Sequence, residues 1–475
     1  MGENAYDVIV IGAGAVGENV ADRAVQGGLS AVIVESELVG GECSYWACMP
    51  SKALLRAGSA LRAARDVRGA AQAVTGRVDP AEVFARRDAV THDGDDSSQV
   101  AWLNGAHIDL VRGHARFTGP KAVRVEASDG TITELRARHA VVVSTGSDPL
   151  LPDVAGLAEA RPWTSRDATS AQSAPASLAI LGGGVVACEM ATAYASFGTA
   201  VTLLVRGGAL LAGQEPFAGE LVQAGLEKAG VTIRFGTQAA SARRTDAGVE
   251  LTLADGGALT AQEVLVAIGR TPRTADLGLE TIGLAPGDWL HVDDTLRVDG
   301  VDWLYATGDV NHRALLTHQG KYQARGAGDV IAARAKGEPV DDDRWGRHVA
   351  TADHAAVPQV VFGEPEVVAV GLTEAAAREA GHRVRTVEVE FSSVAGASLH
   401  ADGYRGRAHM VVDEERQVLL GVTMVGSDVA ELVHAATIAV VGEVPLARLW
   451  HAVPSYPTMS EVWLRLLEAY GRQSA

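Results

Sequence analysis

The run Tyr6-Asp7-Val8-Ile9-Val10-Ile11-Gly12-Ala13-Gly14-Ala15-Val16-Gly17 decides the fold. Residues 6–11 read as a buried strand, and the glycines open an alanine- and valine-patterned helix that runs to about residue 26. A second apolar strand, residues 31–34, ends in Glu35. Strand, glycine turn, helix, strand and acid together make a dinucleotide fingerprint, because each part has a task. Gly12 makes the tight turn, Gly14 lets a pyrophosphate approach the backbone at the helix N-terminus, Gly17 lets helix and strand pack closely, and Glu35 takes the ribose hydroxyls.

The pattern recurs. Residues 178–181 form a strand, Gly182-Gly183-Gly184-Val185-Val186-Ala187 turns into a helix to about residue 197, and residues 201–205 form the next strand. Gly182 and Gly184 stand where Gly12 and Gly14 stand in the first copy, so the chain is expected to bind two dinucleotides. Glu35 follows Gly12 by 23 positions, whereas the residue 23 after Gly182 is Val205, with Arg206 next to it. An acid there would repel a ribose 2'-phosphate and an arginine can pair with one, so NADPH is expected, with NADH possible. The plainer reading of Arg206 is a solvated loop charge, since Gly207, Gly208 and Ala209 add no second cation.

Further apolar strands end in glycine: residues 141–146 close on Thr145-Gly146, and residues 265–270 close on Gly269-Arg270. Residues 304–309 repeat the form and end in Asp309, an acid able to bond a ribityl or ribose hydroxyl if this strand returns to the first domain. After about residue 347 the pattern changes to strands at 359–362, 385–391, 408–412 and 418–425, then helices at 429–440 and 460–468, a separate α+β unit. The expected domains are therefore 1–150 and 276–347 for the first nucleotide, 151–275 for the second, and a C-terminal unit at 348–475.

A chain of 475 residues is too long for one core, in keeping with several domains. Its 41 basic and 59 acidic residues give a net charge of -18, which argues against nucleic acid or an anionic membrane as partner. No apolar run approaches the length of a bilayer span and the opening has no signal-peptide pattern, so the cytoplasm is the expected location. The sequence holds three cysteines, and two of them, Cys43 and Cys48, lie five apart. In a reducing compartment that spacing points to chemistry rather than to a structural staple. Cys188 reads as a packed core residue.

Both paired cysteines fall in Gly40-Gly41-Glu42-Cys43-Ser44-Tyr45-Trp46-Ala47-Cys48-Met49-Pro50-Ser51-Lys52, directly after the first nucleotide unit. Residues i and i+5 of a regular helix point apart, so a disulfide here needs a distorted first turn, for which the glycines upstream and Pro50 downstream give room. The alternative is a pair of free buried thiols. No metal is expected.

With the glycine fingerprints, Gly269 to Pro272 and Ala306 to Asp309, this cysteine segment resembles the class I pyridine nucleotide-disulfide oxidoreductases over nearly the whole chain. The family holds dihydrolipoamide dehydrogenase, glutathione reductase and mercuric reductase. The resemblance implies an α/β fold of two Rossmann-like dinucleotide-binding domains with a C-terminal α+β dimerisation domain, FAD in the first domain, a homodimer, and a small-molecule electron acceptor. It implies that Cys48 faces the flavin as charge-transfer thiolate, that Cys43 is the interchange thiol, and that Lys52 near the flavin pairs with Glu189. It also implies cofactor contacts from Gly41, Lys52, Ala115, Thr145, Gly146, Gly269, Arg270, Asp309, Leu316 and Thr317.

One element departs from the family. Its disulfide reductases carry a His-Pro pair near the C-terminus, held by a glutamate, that serves the interchange thiol as acid and base across the dimer. Here the run is Ser455-Tyr456-Pro457-Thr458-Met459-Ser460-Glu461, with tyrosine for histidine. A phenol with a pKa near 10 can protonate a leaving anion but is a poor base at neutral pH. His451 could substitute if its loop folds back, or it is an interfacial or surface histidine. Tyr45 and Trp46 either pack as core or line a pocket for a flat substrate. The expected activity is electron transfer from NADPH through FAD to the Cys43/Cys48 pair, then to a small disulfide or another electrophile. Direct flavin reduction of quinones or metal ions, a carboxylase-like or mercuric-reductase-like variant, and a flavoprotein component of a larger complex stay open.

Overall fold

The computed structural model describes residues 4–472, and the chain divides into two compact units. The first consists of the residues up to Pro50 with Asp88–Leu150 and Gly269–Asp353; the second of Ser51–Arg87, Leu151–Ile268 and the residues from His354 on.

The first unit is built on a parallel sheet in which Ala31–Glu35, Ala5–Ile11, Ile132–Val143 and Leu304–Ala306 lie side by side. Register sets where the loops emerge. Ile11 is level with Val34 and with Val143, and Val143 with Ala306, so the loops that leave these strands emerge at one edge. The return strand thus brings Thr307 beside Ser144, their hydroxyls 2.7 Å apart, although 163 positions separate them. Ligands of open α/β sheets bind at this carboxyl edge.

Alternation along the strands fills both faces. Ile9, Ile11, Val141 and Val143 pack on one side; Val8, Val10 and Val142 pack on the other against Val20, Ala21 and Ala24 of the first helix, Ala15–Gln26. Full burial of a valine or isoleucine is worth about 1.5–3 kcal/mol each. The helix Thr317–Lys336 lies so close to the first helix that a Cβ on Gly320 would stand 2.6 Å from Val16 Cγ2. A small residue at that crossing is a packing requirement.

In the second unit Thr232–Phe235, Ala200–Val205, Ser177–Leu181 and Glu263–Val266 form a four-stranded parallel sheet. The C-terminal part is a five-stranded antiparallel sheet with the helices Val433–Val441 and Val462–Tyr470. The chain is thus an α/β protein with two nucleotide-type units and a C-terminal α+β part, the expected class. One strand of the antiparallel sheet, Glu366–Gly371, has no counterpart in the sequence reading. It pairs with Gln359–Val361 and Val418–Gly426, and it follows the strand 359–361 so closely, across Gly363 and Pro365, that the sequence shows one apolar stretch rather than two strands. The segment Ser51–Arg87, counted above with the first domain, packs in the second unit. Among the described residues no helix is long and apolar enough to cross a membrane.

Candidate active site

The carboxyl edge of the first sheet opens into a cavity that runs from Glu35 over the N-terminus of the first helix to Cys43 and Thr317. Gly12 has φ +100°, and a Cβ there would stand 2.5 Å from the Ser144 carbonyl oxygen, so only glycine makes this turn. At Gly14 nothing lies within 4 Å of a would-be Cβ, which leaves the backbone open to a ligand. Gly14 caps the helix without a side-chain bond, so the first N–H groups and the positive end of the helix dipole remain for an anion. Gly17 packs on the Gly12 carbonyl, and Gly41 on Gly14 Cα. The Glu35 carboxylate accepts the N–H groups of Ala13 and Glu37, both at 2.7 Å, while burial pushes its pKa up against those bonds.

The rim comes from distant parts of the chain. Ala115, Thr145, Gly146 and Asp309 line the cavity. Thr145 Oγ1 donates to the Arg273 carbonyl, and Asp309 accepts from Ser147 Oγ at 2.6 Å with the Arg270 guanidinium 3.7 Å away. Gly269, φ +150°, leads into Arg270, which starts a short strand paired with Ser147–Pro149. An acid for ribose, an uncapped helix end for a diphosphate and a long trough toward the cysteines fit FAD, with these residues to hold it.

The cysteines sit on two separate helical pieces. Gly41–Tyr45 carries Cys43, Cys48–Arg65 begins at Cys48, and the helix breaks at Trp46-Ala47. This interruption replaces the single distorted turn that the spacing suggests, and it turns the two side chains toward each other. Both are thiols here, and Cys43 is hydrogen-bonded to Cys48. That bond and burial hold the Cys43 thiol well above the ordinary range, while the Thr317 hydroxyl and the Lys321 ammonium pull it down. Cys48 Sγ lies 3.3 Å from Thr317 Oγ1, and Thr317 is the first residue of a 20-residue helix whose N-cap is Leu316. A helix N-terminus favours a thiolate. Tyr45 is buried and meets Trp46 edge-on at 5.7 Å, so this pair packs into the segment.

In the second unit Lys52, one helical turn beyond Cys48, donates to Glu189 Oε2 at 2.9 Å. Glu189 is 3% exposed, and its other oxygen accepts the Phe362 N–H at 3.0 Å, so the carboxylate is fully engaged. The Lys52 ammonium lies 4.9 Å from the Phe362 ring centre. Phe362 has no sequence signal of its own beyond ending an apolar strand. The second glycine turn repeats the first: Gly182, φ +131°, would bring a Cβ 2.2 Å from the Ala267 carbonyl oxygen, and Gly184 is open. Val205 is buried against Gly183, whereas Arg206 is exposed at the end of its strand. Cys188 is fully buried.

The C-terminal residues divide. Tyr456 is 78% exposed, His451 is exposed, and Glu461 is buried with Oε2 on the Gly396 N–H at 3.3 Å rather than on Tyr456. Arg273 escaped the sequence reading: it lines the first cavity and pairs with Asp148, Glu37 and Glu42 at 2.5, 3.4 and 3.2 Å. Its place directly after the Gly269 to Pro272 run was the available signal.

Residues 6–335 match the model of the pyridine nucleotide-disulphide oxidoreductases, and residues 357–467 match that family's dimerisation domain. A dihydrolipoyl dehydrogenase of Thermus scotoductus is 32% identical over 99% of this chain and 98% of its own length. A mercuric reductase of Staphylococcus aureus is 28% identical, over 96% of this chain and 81% of the relative. The Cu(II) complex of an HOCl-induced flavoprotein disulfide reductase from Escherichia coli superposes with a TM-score of 0.84 at 24% identity, covering 98% of this chain and 99% of that one, and speaks for the fold. Members of the matched family work with FAD and NAD(P)H. The chain belongs to the pyridine nucleotide-disulphide oxidoreductases.

Proposed function

We propose that this protein is an NADPH-dependent, FAD-containing homodimeric reductase that passes electrons through Cys43 and Cys48 to a small disulfide or another electrophilic acceptor. The observation that carries the reading is the pair of adjacent sulfurs at the end of the cofactor cavity, with Thr317 at a helix N-terminus beside Cys48. In this reading residues 1–150 and 276–347 hold FAD, 151–275 hold NADPH, and 348–475 form the dimer contact. Bound FAD supplies the two-electron relay between nicotinamide and dithiol. Glu35 orients a ribose, the first helix accepts the diphosphate, and Asp309 with Arg270 fixes a hydroxyl of the ribityl chain. Lys52, steadied by Glu189, supplies a fixed positive charge that favours a reduced, anionic neighbour. Arg206 offers a partner for a 2'-phosphate. Cys48 holds the thiolate, Cys43 attacks the acceptor, and Tyr456 donates a proton to the departing thiolate across the dimer while Glu461 holds its loop.

Anaerobic titration with NADPH of the wild type beside Cys48→Ala tests the route. A long-wavelength absorbance band in the wild type alone, before the flavin bleaches, supports it; identical simple bleaching in both proteins overturns it. Tyr456, in place of a good base, favours a second reading, direct reduction of quinones or metal ions. Under that reading Cys43→Ser keeps full turnover with a quinone.

A further inference from the structure

The dithiol has a charged neighbour that neither cysteine helix supplies. Thr317, 3.3 Å from Cys48 Sγ, is followed one turn later by Lys321, and residues four apart on a helix share a face. On that face the positive charge of Lys321 pulls the Cys43 thiol and the Glu18 carboxyl down, at Cys43 against the larger effects of the Cys48 hydrogen bond and burial, and at Glu18 against that of burial. Glu18 reaches this place because the crossing of Gly320 on Val16 brings the start of the first helix against the residue before Lys321. Glu18 Oε1 is buried without a hydrogen-bond partner, an expensive state for a carboxylate. Burial accordingly raises the Glu18 pKa from 4.5 to about 7, with Glu35 adding to the rise and Lys321 opposing it. Burial pushes the Tyr45 phenol, also without a hydrogen-bond partner, up to about 12, with Asp96, Glu18 and Asp95 adding to the rise.

We propose that Lys321 is a positioning residue that favours the thiolate of the Cys43/Cys48 pair, and that Glu18 tunes this effect through its own ionisation. The device sits inside one subunit, in a chain whose cross-dimer histidine is replaced by Tyr456. With Glu18 neutral, the ammonium acts on the sulfurs undiminished. With Glu18 ionised, its negative charge offsets Lys321. The two residues therefore push the pair's first ionisation in opposite directions, and Glu18 does so only above its own titration.

The proposal rests on Cys43 and Cys48 being the working thiols, and its test does not depend on turnover. The reduced protein is alkylated with iodoacetamide across pH, and the Cys43 and Cys48 peptides are followed by mass; Cys188, fully buried, does not interfere. Lys321→Met is expected to raise the alkylation midpoint by about one pH unit, with Lys321→Arg restoring it. Glu18→Gln is expected to speed alkylation severalfold at pH 8 and to leave it unchanged at pH 5.5. Unchanged midpoints, or shifts of the same sign in both variants, overturn the coupling. Full turnover in Cys43→Ser would overturn the dithiol route instead, and the alkylation result would stand apart from it.

Discussion

Replacing Arg273 by asparagine tests the electrostatics of the cofactor cavity. Among the described residues that line it, Arg273 is the only lysine or arginine, facing Glu35, Glu37, Glu42 and Asp309. The guanidinium is 28% exposed and shared among Glu37, Glu42 and Asp148, whose side chains are 41%, 22% and 48% exposed. Ion pairs as open as these are worth at most about 1 kcal/mol each, so the apoprotein loses about 1–2 kcal/mol of stability. The cofactor loses more specifically. A cation acts on each negative charge of a diphosphate with about 0.8 kcal/mol across roughly 10 Å at an effective dielectric constant near 40. Two charges give about 1.5 kcal/mol, or roughly tenfold in Kd. FAD binding to the apoprotein, followed by quenching of flavin fluorescence, should weaken about tenfold in Arg273→Asn at low salt. The difference should shrink severalfold at 0.5 M salt, where screening is strong. Equal affinity for wild type and variant, or a loss indifferent to salt, would refute the argument and leave Arg273 a mere tie between loops.

Gly182→Ala puts a Cβ 2.2 Å from the Ala267 carbonyl oxygen at φ +131°, and should abolish NADPH binding in a nucleotide titration while FAD content stays normal. Arg206→Glu should raise KM for NADPH at least tenfold and leave KM for NADH nearly unchanged; equal effects on both would assign Arg206 to the solvated surface. Glu18 binds its proton more tightly folded, near pH 7, than unfolded, near 4.5, so the native state loses stability as pH rises through that window. Glu18→Gln should therefore match the wild type near pH 4.5 and exceed it by about 2–3 kcal/mol at pH 8 in urea unfolding, a gain that disappears if the carboxyl is hydrated.

The fold was legible because its deciding features are local. Residues 6–17 carry period, turn and helix start within one short stretch, and the would-be clashes at Gly12 and Gly182 explain why no other residue type can write that signal. The return of residues 304–309 to the first sheet was readable only through its glycine and acid, since pairing of Ala306 with Val143 leaves no mark in either strand. Charges brought together by tertiary packing were not legible. Arg273 meets Glu37 across 236 positions, and Thr317 meets Cys48 across 269, at the start of a helix whose register the sequence does not announce.

That difference bears on Tyr456. A motif reading sees a lost histidine and infers a weakened active site, because it compares position with position. A charge, however, acts as a field at the sulfur and can come from any element packed there. Lys321 and Thr317 stand on one face of a helix whose N-terminus already points its dipole at Cys48, and Glu18 is buried deeply enough to titrate near neutrality. A tyrosine can then serve as acid alone if the nucleophile is made anionic from within the subunit. On this view Tyr456→Phe should slow the step that protonates the leaving thiolate, with kcat falling about tenfold or more, and should leave the alkylation midpoint of Cys43 where it is. A midpoint that moved with Tyr456 would put the base back across the dimer.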